Sequence, residues 1–175
     1  MTTYRPPAVS PTAATQLTQA HRALRLGRPE AVWATLHQLW SHQASPGLYT
    51  WDAPRPTQDE VADGWQYARG WHNETAVSPD YETAALLLLL QQDMLAYLDE
   101  AAAEPTVVLG AGITPAWLSQ PMAVSNLALP GGSITWQWDG QKMRVTLRGP
   151  ARKIQLGSAF PTGTELAVVQ KPLRP

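Results

Sequence analysis

The sequence predicts an α+β fold: an N-terminal helical hairpin and a buried third helix, followed by a C-terminal antiparallel β-subdomain. Three observations carry this. Residues 12–43 place apolar side chains at helical spacing. Residues 86–90 are five consecutive leucines, and a helix turning about 100° per residue spreads five positions around its whole circumference. From Thr106 onward the apolar residues fall into short, alternating runs. The chain has 175 residues, and such a length buries roughly 70% of its unfolded surface without a disulfide or metal staple.

Residues 1–11 hold three prolines without periodicity and read as an extended arm. Residues 12–104 read as a helical region, interrupted by an aromatic loop at 44–77, and residues 105–171 as the β-subdomain. In the first helix Leu17, Ala20 and Leu24 share a face, and Gly27 stands where a C-cap residue belongs. Pro29 opens the second helix, where its missing N–H costs nothing. Val32, Trp33, Leu36, Leu39 and Trp40 follow the 3–4 spacing of an amphipathic helix ending near Gln43. The short link makes the pair an antiparallel hairpin.

For the third helix, Ser78 is the expected N-cap and Pro79 the first helical residue. The helix is expected to run to about Leu98 and to stop before Pro105, which excludes helical geometry from the residue preceding it. Its five leucines leave no water-facing side, so neighbours are expected to enclose it. The runs TVVLG, MAVSNLALPGG, RKIQLG and TELAVVQK read as strands, and SITWQWDGQKMRVTL as a hairpin turning at Asp139-Gly140. That turn pairs Trp138 with Gln141 and Trp136 with Met143. It gathers Ile134, Trp136, Trp138, Met143, Val145 and Leu147 on one face.

Composition excludes several functions. The absence of cysteine removes thiol catalysis, Cys-ligated zinc and iron–sulfur clusters. Thirteen Lys and Arg nearly cancel fourteen Asp and Glu, with no basic run, so no nucleic-acid partner is expected. The N-terminus lacks the pattern of a signal peptide, and the apolar run 83–90 is too short to cross a bilayer. These features predict a soluble, cytoplasmic protein with no membrane partner. His21, His37, His42 and His72 do not share metal-ligand spacing, so neither metal nor cofactor is expected. No G-x-S-x-G occurs, and GAGITP lacks the third glycine and the lysine of a phosphate loop.

The loop 44–77 is the expected site, because a segment of that length without regular structure is usually functional. Trp51, Trp65, Tyr67, Trp71 and His72 are its candidate ligand-binding residues; the indole and phenol rings either stack on sugar rings or form the loop's own core. Its carboxylates include Asp52, which follows Trp51, and Glu74, which lies in GWHNET. Each is either a catalytic carboxylate, since glycoside hydrolysis needs two, or a solvated or capping group. Asp59, Glu60 and Asp63 decorate a short helical turn.

The segment SPDYETAALLLLLQQDMLAYLDE, followed by TVVLGAGITPAWLSQPMAVSNLALPGGSITWQWDGQKMRVTLRG, resembles the C-terminal end of bacterial six-hairpin glycosidases. In that family an apolar helix enters a barrel of paired helices. A short strand, a G-I/V-P-x-W-L turn and an antiparallel β-subdomain follow it. Here the turn reads Gly112-Ile113-Thr114-Pro115-Ala116-Trp117-Leu118, with Thr114 as an extra residue. SPGLYTW, residues 45–51, resembles the loop before the last hairpin. The resemblance implies a carbohydrate-active protein of which this chain is a C-terminal module or a remnant, not catalytic alone, with carbohydrate as its ligand. It also explains the five leucines as an inner barrel helix whose covering helices are missing. The alternative is a non-catalytic interaction module that forms a homo-oligomer or associates with such helices.

Overall fold

The computed structural model describes residues 12–41 and 80–172, together with the backbone of Ala53–Pro54 and Ala76–Val77. The α+β class holds. The helices are α1 (Ala13–Arg25), α2 (Pro29–Ser41) and α3 (Tyr81–Leu95). Strands β1 (Ala53–Pro54) and β2 (Ala76–Val77) pair antiparallel. The others are β3 (Ala96–Asp99), β4 (Thr106–Leu109), β5 (Met122–Leu129), β6 (Gly132–Trp138), β7 (Lys142–Arg148), β8 (Lys153–Leu156) and β9 (Glu165–Lys171). They form a sheet ordered β3-β4-β8 and a sheet ordered β5-β6-β7-β9. Pairing is mixed rather than antiparallel throughout: β4 runs parallel to β8 and β7 parallel to β9.

Local chemistry sets the helix ends. Thr12 caps α1 through its hydroxyl, which accepts from the Thr15 N–H. Gly27, at φ +69°, ends the hairpin's first arm, with the Arg28 N–H returning to the Ala23 carbonyl. On α3 the cap is Asp80, not Ser78. Its carboxylate accepts from the N–H groups of Glu82 and Thr83 and from the Thr83 hydroxyl.

The helix α3 also ends earlier than expected, at Leu95, and the chain passes directly into β3. Tertiary hydrogen bonds stop it: Gly112 N–H donates to the Met94 carbonyl, and Gly110 N–H to the Leu95 carbonyl. Those helix-end acceptors are satisfied by the turn after β4.

The three layers follow from alternation along β3 and β4. Tyr97 and Val108 are cross-strand partners and face the helices, packing with Leu17, Leu24, Val32, Leu36, Leu39, Leu90 and Met94. Ala96, Val107 and Leu109 face the other way, into a second core with Ile134, Trp136, Trp138, Met143, Val145, Leu147 and Phe160. All four residues of β4 are buried, as a strand covered on both faces requires, and this is why it reads as an unbroken apolar run.

The leucine run does not behave as expected. Leu90 is fully buried and Leu86 and Leu87 are partly so, but Leu88 and Leu89 are 68% and 54% exposed. Helix α3 lays one stripe, Thr83, Leu90 and Met94, inward, and residues 88 and 89 fall on the other side. Full enclosure is therefore overturned.

The hairpin face is as read, but its register is shifted. Trp138 pairs with Met143, Trp136 with Val145 and Ile134 with Leu147. The tip is Gly140-Gln141, with Gly140 at φ +100°. Asp139 stands one residue before the turn, and its carboxylate accepts from the Gln141 and Lys142 N–H groups. A shift of two residues preserves every side chain's face, so all six apolar residues are buried together.

Polar contacts join α1 to α3. His21 Nε2 donates to the Leu86 carbonyl at 3.2 Å, while Nδ1 lies 3.6 Å from the Asp93 carboxylate. Both nitrogens thus face acceptors, which favours imidazolium. The Asp93 carboxylate chiefly raises the His21 pKa, against partial burial. A raised folded-state value stabilises fully below the ordinary 6.5 and is lost as pH climbs through the raised value. The urea midpoint should accordingly fall as pH rises above 6.5, and Asp93→Asn should flatten that slope. An unchanged slope in the variant would remove His21 as its source.

Candidate functional site

Helix α2 carries two sets of side chains. Val32, Leu36 and Leu39 point into the core. At about 100° per residue Trp33 and Trp40 lie roughly a quarter turn from that stripe, with His37 beyond them. Trp33 is half-buried, and its Nε1–H donates to the Gly112 carbonyl at 2.8 Å, which fixes the indole against the junction of the layers. Trp117, from the 3-10 turn Pro115–Trp117, places its ring centroid 5.3 Å from that of Trp33. Trp40 lies 6.4 Å from Trp33 and meets His37 edge-on at 5.8 Å.

This is a surface cluster of three indoles and an imidazole. Trp40 and Trp117 are 43% and 44% exposed. Tilted ring pairs at these separations hold one another in place, so the open faces are fixed rather than free to collapse. The cluster offers π faces and a hydrogen-bonding imidazole. None of these four side chains is a carboxylate.

The other tryptophans of the described residues are structural. Trp136 Nε1 donates to the Leu95 carbonyl at 3.2 Å and Trp138 Nε1 to the Leu118 carbonyl at 2.9 Å, both rings being buried. The Gly112–Leu118 turn thereby acts as a clasp. One end receives Trp33, the other receives Trp138, and Trp117 stands outward between them.

A concavity of about 260 Å³ lies elsewhere, where Arg25, Leu26 and Gly27 approach Tyr97, Val108 and the 155–158 segment. Arg25 stacks over the Tyr97 ring at 3.7 Å and pairs with Asp93 at 2.9 Å, so its charge is already compensated. Burial raises the Tyr97 pKa, partly opposed by Arg25. Far from this cleft, backbone N–H groups of Lys142 and Gln141 lower that of Asp139. Among the described residues no group of three or more His, Asp or Glu is arranged to hold a metal ion. None of their helices is long and apolar enough to cross a membrane.

The residues expected to form the site, Asp52, Glu74, Trp51, Trp65, Tyr67, Trp71 and His72, lie outside the described residues. Trp33 and Trp40 were read together with Val32, Leu36 and Leu39 as one amphipathic spacing, and their flanking angle on the helical wheel is the signal that separates them from that stripe. Trp117 was legible only as part of the glycosidase-like turn. No known protein family matches the chain, and neither a curated protein nor a solved structure matches it.

Proposed function

We propose that this chain is a non-catalytic saccharide-binding module, of the kind attached to or derived from glycosidase-like proteins. The observation that carries this reading is the exposed cluster of Trp33, His37, Trp40 and Trp117. Flat indole faces accept the apolar C–H face of a pyranose, and His37 supplies a hydrogen-bonding partner for a ring hydroxyl. Holding the rings in advance lowers the ordering cost of binding. The likeness of the Gly112–Leu118 turn to the six-hairpin glycosidases supports the same ligand class. Enclosure of the leucine run no longer does.

Titration with soluble gluco- and xylo-oligosaccharides tests this through tryptophan fluorescence. Affinity on the order of 1 mM, about −4 kcal/mol, is expected. Trp117→Ala should weaken binding about fivefold while leaving the circular dichroism spectrum of the folded protein unchanged, since one exposed stacking face contributes about 1 kcal/mol. No spectral response to any oligosaccharide would overturn saccharide recognition. Release of reducing sugar by the isolated protein would overturn the non-catalytic part.

One observation favours a second reading, that of an interaction module. Tyr81, Leu88 and Leu89 on α3 are 78%, 68% and 54% exposed, a face that suits helices of the missing-barrel type. A sedimentation coefficient that changes on Leu88→Asp, together with silent saccharide titrations, would select it.

A further inference from the structure

The two sheets present four edges among the described residues, β3, β8, β5 and β9. Three carry devices that discourage pairing. Strands β3 and β8 are four residues long. Strand β5 is interrupted by a bulge between Val124 and Leu127, where Asn126 takes φ +53° and donates its N–H to the Thr135 hydroxyl.

Strand β9 has none of these. It runs seven residues in unbroken register with β7. It contains no proline, and between its terminal Glu165 and Lys171 it has no charge. Every residue but Leu166 is exposed, Val168 and Val169 by 37% and 51%.

The free hydrogen-bonding positions follow from one contact. The Lys171 carbonyl accepts from the Gly149 N–H at 2.9 Å, so residue 171 points its backbone toward β7. Alternation along the strand turns the N–H and C=O of Gln170, Val168 and Leu166 outward. These three residues are evenly spaced about Val168.

We propose that β9 pairs antiparallel with β9 of a second copy of this chain, about a twofold axis at Val168, joining two four-stranded sheets into one. In this register Val168 faces its own counterpart, and Leu166 faces Gln170 of the other copy; these are the positions with outward backbone groups. Ala167 then faces Val169, and Glu165 faces Lys171. The charges therefore match at both ends, as a twofold interface requires. Glu165 already contacts Lys142 at 2.9 Å within its own chain and would sit between two ammonium groups. A second copy satisfies this sequence because its charge pattern reverses under strand reversal. The area is small, so the dimer is weak, with half-association on the order of 0.1 mM.

Sedimentation equilibrium from about 1 µM to about 1 mM tests the proposal. Val168→Pro removes an N–H that β7 does not use, so the fold is retained and the dimer lost. Glu165→Lys and Lys171→Glu each set like charges opposite one another twice per dimer and should weaken it about tenfold. The combined Glu165→Lys/Lys171→Glu variant restores the complement and should return to within about threefold of the parent. Circular dichroism verifies the fold of each variant. Amide exchange at Leu166, Val168 and Gln170 should slow as protein concentration rises.

A monomer across the whole range overturns the proposal. So does a dimer that all three single variants leave unchanged, which would place the contact elsewhere, for example on the Leu88 face of α3. Protection of the three amides that does not depend on concentration overturns it too, by showing that another segment of the same chain occupies the edge.

Discussion

Trp136→Ala should lower the unfolding free energy by about 4 kcal/mol, the largest single-residue effect expected in this protein. The side chain is 1% exposed and sits at the middle of β6, paired with Val145 on one side and Val124 on the other. Its removal opens a cavity in the outer core that Ile134, Met143 and Leu147 fill only partly. It also deletes the N–H donated to the Leu95 carbonyl, although that oxygen keeps the Gly110 N–H at 2.8 Å. Loss of the hydrogen bond is therefore the smaller part. Trp136→Phe retains most of the ring and should cost about half as much. Urea denaturation followed by circular dichroism measures both; equal losses for the two variants would show that the donor, not the volume, matters.

Gly112→Ala should cost about 2–3 kcal/mol, although alanine is the smallest addition available. A Cβ at this position would lie 2.4 Å from Met94 Cβ and 2.6 Å from its Cγ. A flexible tip can move aside, but a Cβ moves only with its backbone, so α3 and the turn must separate. That separation lengthens the Gly112-to-Met94 hydrogen bond and shifts the carbonyl that holds Trp33. The variant should therefore change the Trp33 emission maximum as well as the stability. Wild-type stability together with unchanged emission would show that the junction has slack.

These two positions also mark what can be read from the sequence. Trp136 declares itself in part: alternation around the hairpin places it on one face with five other apolar residues, and that grouping survives even though the tip is Gly140-Gln141; that the face is covered comes from the β3-β4 layer. Local alternation determines faces, whereas register depends on which residues supply the turn, and there the Asp139 carboxylate tips the balance. The end of α3 was not legible, because QQDMLAYLDE contains nothing that stops a helix. Amides of Gly110 and Gly112, contributed after β4, stop it. The parallel pairings of β4 with β8 and β7 with β9 join segments separated by other strands, which no local pattern records.

The leucine run misled for a related reason. Five apolar residues in succession state a hydrophobicity, but only neighbours determine which of them are covered, and α1 reaches one side. In α2 the same limit applies to Trp33 and Trp40. Their spacing fits an apolar stripe, and their place at its margin, beside Trp117, turns them into a surface feature. The loop residues favoured as a site, from Trp51 to Glu74, lie beyond what the structure describes.

Strand β4 touches the helices through Val108 and the outer sheet through Val107 and Leu109. It works as a party wall between two rooms, and each room is incomplete without it. Any division of this chain, by protease or by recombination, leaves one piece with the wall and the other open to solvent. The two cores therefore stand or fall together, because each counts residues of the same strand among its own.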